Sequence, residues 1–335
     1  MTTDATRMLR PLAFGLALLL AAQPAMALDA TREDVRQFMQ EMRHKHGFDE
    51  AWLSGILASA ESQPKIIELM TRPAEQVMAW HNYRDHFLTD ERIAAGVAFW
   101  VEHRERLAWT EKSTGVSQHV IVGILGVETF FGRITGRFRV IDALATLAFD
   151  YPPRSKYFRE ELEQFLLLAR ENQIDPITAL GSYAGAMGRA QFMPSSYRAY
   201  AIDGDGDDRS DLWGSWDDVI ASVANYLAKH GWRAGEPVAA PASLWFPGAD
   251  ALIAAGSLAP DTTVKALRDR GLSFETSLDG KAPAFFISLA GDGGPEYRAG
   301  FFNCGVITRY NRSVMYALAV HDLGRRIEAM LPPAP

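Results

Sequence analysis

The chain has 335 residues, with 34 Lys and Arg against 41 Asp and Glu, a formal net charge of -7 and 48 % hydrophobic residues. That is too apolar for general disorder and, at roughly 150 residues per domain, long enough for about two domains. The acidic balance argues against nucleic-acid binding, which draws affinity from basic patches that release counterions, and the single cysteine, Cys304, excludes an intramolecular disulfide or a multi-cysteine zinc site and reads as a buried thiol.

At the start, Arg7 and Arg10 precede an apolar run at 12–22 (LAFGLALLLAA), followed by Pro24 and Ala25-Met26-Ala27. This is the three-part pattern of a cleaved export signal, so residues 1–27 are expected to be removed after Ala27. No cysteine is available there for lipid attachment, and no later stretch is apolar for long enough to span a membrane. The mature chain is therefore expected to be soluble in the periplasm.

From Thr31 to about Arg106 the periodicity is helical, with apolar residues at Val35, Phe38, Met39 and Met42, and again at Ile93, Val97 and Trp100. Residues 28–110 read as an N-terminal helical region, and residues 111–235 as a core. Within it, residues 119–131 (HVIVGILGVETFF) are apolar on nearly every side, as in a buried helix. Further helices are expected at 161–170 and 219–230, the latter closed by Gly231. Residues 155–178 are expected to pack with the helical region. From 236 to 302 Pro and Gly punctuate short apolar runs such as 243–246 and 284–289, which predicts a small β-containing insert. A helix from Tyr310 to Ala329, within residues 303–335, returns to the core.

Glu128 is the residue out of place. It lies four positions after Ile124 and seven after Ile121, on their apolar face. A carboxylate there either finds donors or holds its proton, and a protonated Glu is what general-acid cleavage of a glycosidic bond needs. Pairing with Arg133 or Arg137 is the alternative. Residues 181–197 (GSYAGAMGRAQFMPSSY) combine small residues with Ser182, Gln191, Ser195 and Ser196, suited to close backbone approach and to a hydroxyl- and amide-rich ligand; tight helix packing would look similar. Residues 307–316 (ITRYNRSVMY) interleave Tyr310, Asn311 and Tyr316, a set that reads either as sugar-stacking or as core aromatics.

A third constellation is DGDGDDRSD. Asp203, Asp205 and Asp207 match positions 1, 3 and 5 of an EF-hand loop, with the Arg209 carbonyl at position 7, and hard oxygen ligands favour Ca²⁺. Position 6 is Asp208 instead of Gly, and position 12 is Gly214 instead of Glu; the closing carboxylate is expected to be Asp218. Residues 203–218 hold seven Asp and one Arg, so most of the chain's acidity sits in this segment. There is no H-E-x-x-H motif, no nucleophile elbow and no phosphate-binding Gly-rich loop.

Taken together, residues 126–158 (GVETFFGRITGRFRVIDALATLAFDYPPRSKYF), GSYAGAMGRAQFMPSSY, the aspartate loop, SVANYLAKHGW and VITRYN resemble the lytic murein transglycosylase B family, over most of the chain from about Thr31 to Ala329. The resemblance implies an α+β, mainly α fold: a lysozyme-like core with a flanking helical region and a small β insert. It implies an EF-hand-like Ca²⁺ site with no organic cofactor, and cleavage of the β-1,4 bond between N-acetylmuramic acid and N-acetylglucosamine with formation of 1,6-anhydromuramoyl ends. Peptidoglycan glycan strands would be the partner, along with other cell-wall enzymes. By the same resemblance Glu128 is the catalytic acid and base, and Ser182, Gln191, Tyr226, Tyr310, Asn311 and Tyr316 bind substrate. Where relatives often carry two successive Arg after Tyr-Pro, this chain has Pro153-Arg154, so the contact of the first Arg with a peptide or sugar carboxylate is not expected here and Arg154 alone is left to bind substrate.

Overall fold

The computed structural model describes residues 26–71, 78–244 and 257–333. The expected export signal therefore lies almost wholly outside the described residues. Its last two residues form β1 (Met26–Ala27), and a cut after Ala27 would remove the strand that pairs with Glu61 and Ser62.

Helix α1 (Glu33–His46) carries Glu33 and Asp34 in its first turn and a basic last turn, each sign favourable to the helix dipole, and ends on Gly47 at φ 65°. Asp49 caps α2 (Glu50–Ser59) by accepting from the Trp52 amide. Strand β2 (Glu61–Ser62) and α3 (Pro64–Met70) follow, then α4 (Trp80–Phe87), α5 (Asp90–Glu102) and α6 (Arg104–Thr114). The next helix, α7 (Gln118–Thr129), is buried continuously from Val120 to Val127, which explains its lack of a polar face.

Short β3 (Phe138–Arg139) leads into α8 (Val140–Phe149), buried at every position. A 3-10 turn (Pro152–Arg154) then opens α9 (Ser155–Glu171), which packs along α8 and reaches α1 through Glu163 and His46 at 2.7 Å. This helix starts six residues earlier than its apolar run suggests. Strand β4 (Leu180–Gly181) pairs with β3, and α10 (Pro194–Tyr200) and α11 (Trp216–Lys229) complete the core. Helix α11 begins before the expected Val219 because Ser215 caps it, its hydroxyl accepting from the Asp218 amide.

The expected β insert is an antiparallel sheet of β5 (Ala239–Leu244), β6 (Thr262–Thr263), β7 (Leu272–Phe274), β8 (Pro283–Gly291) and β9 (Gly294–Phe301), with α12 (Val264–Asp269) between β6 and β7. The strand order is β6-β8-β9-β5-β7. Residues 245 and 246 of the expected run at 243–246 lie outside the described residues. Alternation along β8 divides its side chains: Ala284 and Phe286 join a local core with Val264, Phe274 and Phe301, whereas Phe285 and Ile287 join the main one.

After α13 (Phe302–Ile307) comes a correction. The last helix, α14 (Val314–Ala329), does not start at Tyr310: Ser313 is extended and caps it from outside, accepting from the Tyr316 amide, so Tyr310 and Asn311 sit in the preceding turn. Helix α14 crosses α7 at very short range, with Gly324 against the His119 carbonyl and Gly123 against the Val320 carbonyl. Cys304 is fully buried among apolar neighbours, and burial pushes its thiol up to about 12.

Candidate active site and metal loop

Glu128 occupies the last turn of α7 and is half-buried. Immediately after it the chain reverses through Phe130 and Phe131, at φ 50° and 55°, with the Phe131 amide donating to the Leu125 carbonyl. Two successive non-glycine residues in the left-handed region are costly and need tertiary support. Phe131 receives it from Phe99, whose ring lies 5.2 Å away, and Phe130 from the guanidinium groups of Arg92 and Arg133, each 4.7 Å from its ring. Arg133 also reaches Glu91 at 3.2 Å, and Arg137 lies over Phe138.

Across from this turn, Tyr316 of α14 donates its hydroxyl to Glu128 Oε1 at 2.6 Å. The Tyr316 ring is buried, and burial first, then the Glu128 charge, pushes its pKa well above the usual phenol range, so it stays a donor. Tyr310 stacks beside Tyr316 at 6.4 Å and gives its hydroxyl to the Ala190 carbonyl; Tyr226 gives its own to the Arg309 carbonyl at 2.6 Å. Three residues read as sugar-contacting thus have their hydroxyls engaged in the protein, and two of them, Tyr226 and Tyr316, are buried. Asn311 takes the Ser313 amide on its carbonyl.

Ser182 heads a tight turn, its Oγ accepting from the amides of Ala184 and Ala186. Gln191, at φ 51°, donates from its side-chain amide to the Thr135 and Gly188 carbonyls, tying the loop at 186–192 to the segment after Glu128. Arg154 is exposed, its guanidinium over Tyr157 at 4.5 Å and Phe158 at 4.9 Å.

Two contributors escaped the sequence reading. Thr129 is buried beside Glu128; its hydroxyl contacts the Arg189 carbonyl at 3.1 Å and accepts from the Gly132 amide. Arg189 lies over Trp216 at 4.3 Å and donates to the Gly214 carbonyl. A Thr following the candidate Glu was a visible signal. The reach of Arg189 was not, because its partners come from the far end of the aspartate loop.

The other carboxylates nearby in sequence are committed. Both oxygens of buried Asp142 are held by Arg139 at 2.8 Å, and one also takes the Glu61 amide. Asp150 binds Arg32 and the Ser62 hydroxyl, and buried Glu161 accepts from the amide and hydroxyl of Ser195.

In the aspartate loop, Asp203, Asp205 and Asp218 each bring an oxygen within 4.8 Å of the others. Asp203 accepts from the amides of Gly206 and Asp208, which lower its pKa, and Asp205 accepts from the Ser215 hydroxyl. Asp207 instead accepts from the Arg209 amide and lies outside the cluster of three. The missing glycine at position 6 is accommodated directly: Asp208 itself adopts φ 66°, a conformation Asp tolerates better than most residues. Buried Asp218 takes the Gly204 and Asp211 amides, and its pKa is raised by burial and then by the charges of Asp205 and Asp203. An all-oxygen set under mutual repulsion fits a hard divalent cation. The loop also carries Leu212, whose carbonyl accepts the Arg189 amide. That bond ties the aspartate loop to the loop that bears Gln191.

A family model described as the transglycosylase SLT domain matches residues 30–325. The chain is 40 % identical over 307 residues to membrane-bound lytic murein transglycosylase B of Escherichia coli K12, covering 89 % of this chain and 83 % of that protein. Among solved structures, soluble lytic transglycosylase SltB1 of Pseudomonas aeruginosa is 47 % identical with a TM-score of 0.83, covering 88 % of this chain and 97 % of that one. The Escherichia coli lytic transglycosylase Slt35 in complex with calcium is 40 % identical with a TM-score of 0.81, covering 91 % and 96 %.

Proposed function

The chain belongs to the transglycosylase SLT family and is a peptidoglycan lytic transglycosylase of lysozyme-like fold, and from that premise we propose that Glu128 alone performs its acid and base steps. The commitment of Asp142, Asp150 and Glu161 to structural partners carries this reading, because a hydrolytic glycosidase needs a second carboxylate as nucleophile or to activate water. Protonated Glu128 gives its proton to the glycosidic oxygen as the C1–O4 bond breaks, and N-acetylglucosamine leaves with a free 4-hydroxyl. The Glu128 carboxylate then takes the proton of the muramoyl C6 hydroxyl while O6 bonds to C1 in the same sugar. An intramolecular nucleophile has a large effective concentration, so water need not be activated. Tyr316 holds the carboxylate in place between the two steps. The hydroxyl proton of Ser182, the side-chain carbonyl of Gln191, a lone pair of the Tyr310 hydroxyl and Asn311 supply hydrogen-bonding groups along the substrate, with Arg154 at the edge. Tyr226 acts through the backbone at Arg309 that sets the turn bearing Tyr310.

The direct test is to digest purified sacculi and weigh the muropeptides. Anhydromuramoyl ends are expected from the wild-type protein, and reducing, hydrated ends would overturn the single-carboxylate scheme. Glu128→Gln is expected to lower the lytic rate by about 10³-fold or more.

Asp203, Asp205 and Asp218, with Asp207 and the Arg209 carbonyl completing the loop, are assigned to Ca²⁺; the converging carboxylates and the calcium complex of Slt35 support this. When bound, the ion would neutralise repelling charges and contribute no chemistry to the reaction. Ca²⁺ is expected to raise the melting temperature and a chelator to lower it, with the difference lost in Asp205→Asn. Equal melting in both conditions would remove the assignment. The leader supports export and a periplasmic location; among the described residues no helix is long and apolar enough to cross a membrane.

A further inference from the structure

We propose that the surface formed by residues 47–52 and 170–176, continued by Trp213 and Leu180, is an accessory binding strip for the peptidoglycan glycan strand, outside the catalytic site. The proposal rests on the peptidoglycan reading above and extends it to a second place on the molecule. Two adjoining pockets make the strip. One, of about 610 Å³, lies between Phe48, Trp52, Arg170 and Ile174; the other, of about 400 Å³, lies between Asn172, Tyr197, Arg209 and Trp213; Gln173 and Ile174 line both.

The first pocket offers an aromatic surface already fixed in orientation. Trp52 stacks on Phe48 at 5.3 Å with only 4° between the planes, and Phe48 also carries the Arg170 guanidinium 4.2 Å from its ring. Arg170 is anchored in turn by donating to the His46 carbonyl. The indole is nevertheless 36 % exposed. A preset aromatic face binds without losing much rotamer freedom, and its apolar plane suits the C–H face of a pyranose ring.

Polar groups along the strip have the same character. Most of its acidic members already serve the fold: Asp49 caps α2, Asp175 accepts from Ile177 and Thr178, Asp211 accepts from the Trp213 and Gly214 amides, and Glu171 takes both of its bonds from Arg198, while Asp208 stays exposed at the edge of the second pocket. What faces a ligand is mainly amide and guanidinium, from Asn172, Gln173, Arg170 and Arg209. Amides match acetamido and hydroxyl groups, and guanidinium groups match the carboxylates of stem peptides. The strip also runs toward the catalytic segment. Trp213 donates to the Leu180 carbonyl at 3.3 Å, Leu180 is 47 % exposed, and Ser182 follows two residues later. Gln173 and Ile174 join the two pockets, and Trp213 with Leu180 leads from the second toward Ser182.

The test is co-sedimentation with purified sacculi, in the Glu128→Gln background so that binding is read without turnover. Trp52→Ala is expected to weaken sacculus binding about fivefold, and Trp52→Phe to restore it to within twofold. In the active enzyme Trp52→Ala should raise KM on sacculi by a similar factor while kcat changes less than twofold. Unchanged co-sedimentation of Trp52→Ala, or a fall in kcat without a rise in KM, overturns the strip. Failure of the catalytic reading would appear separately, as the absence of anhydro ends from the wild-type digest.

Discussion

At the scale of single residues, the proposed chemistry turns on a hydrogen bond between partners 188 positions apart, from Tyr316 to Glu128. A hydrogen bond to a charged group contributes roughly 1.5–3 kcal/mol. If it acts mainly on the carboxylate formed during the reaction, Tyr316→Phe lowers kcat about 10- to 100-fold, and steady-state kinetics on sacculi with a thermal melt of the same sample check this. A variant that loses its fold but keeps full kcat per folded molecule would assign Tyr316 to packing. The contrast between the two residues also marks what the sequence can carry. Glu128 is legible alone, because a carboxylate on an otherwise apolar helix violates the pattern around it. Tyr316 is not: its spacing suits a sugar platform and a core aromatic equally, and only the crossing of α7 and α14 decides that its ring is buried and its hydroxyl aimed at Glu128.

Between elements, the close approach of α7 and α14 sets the distance from Glu128 to Tyr316, and glycine makes that approach possible. A Cβ at Gly324 would stand 1.9 Å from the His119 carbonyl oxygen, which is backbone and cannot rotate away. Gly324→Ala is therefore expected to cost about 3 kcal/mol or more and to lower activity in the surviving folded protein, as seen by urea melts and lytic rate. Gly55→Ala, in the exposed middle of α2 with nothing within 4 Å, should move stability the other way by about 0.5–1 kcal/mol. The same chemical change has opposite signs because one site meets backbone and the other meets water. Local code foresaw the buried helix α7, the β-containing texture after residue 236 and the aspartate loop, all written in periodicity or spacing. It misplaced the start of α14, since an apolar pattern runs through Tyr310 while the Ser313 cap determines where the helix begins. It also missed the passage from Leu212 and Gly214 to Arg189, which links the aspartate loop to the turn after Glu128 through tertiary contacts alone.

For the molecule as a whole, that same helix crossing fixes how stability responds to acid. His119 on α7 and His321 on α14 lie 5.7 Å apart, and each has a buried ring nitrogen without a partner. Burial first, then for His321 the charge of His119, with Arg325 acting on both rings and Arg298 on His321, lowers their pKa values to about 4 and about 3. Asp322, next to His321 in the chain, has its own pKa raised, chiefly by burial. Against an ordinary value near 6.5, the folded rings refuse protons that the unfolded chain accepts. Above pH 6.5 both states are neutral at these positions and the pair makes no difference. Below it the unfolded state binds more protons, so stability falls as the pH falls, by about 1.4 kcal/mol per pH unit for each ring. His103, also lowered by burial, adds to the slope. Carboxylates with raised pKa values, Asp218 and Asp322, act in the opposite direction, because they hold protons the unfolded chain has released. The melting temperature is accordingly expected to drop steadily from pH 7 to pH 5, well before ordinary carboxylates titrate. The double substitution H119Q and H321N, which places an amide near each ring nitrogen but cannot be protonated, should remove most of that slope. Calorimetry of both proteins across this range checks it, and an unchanged slope in the double variant would move the acid sensitivity away from the α7–α14 crossing.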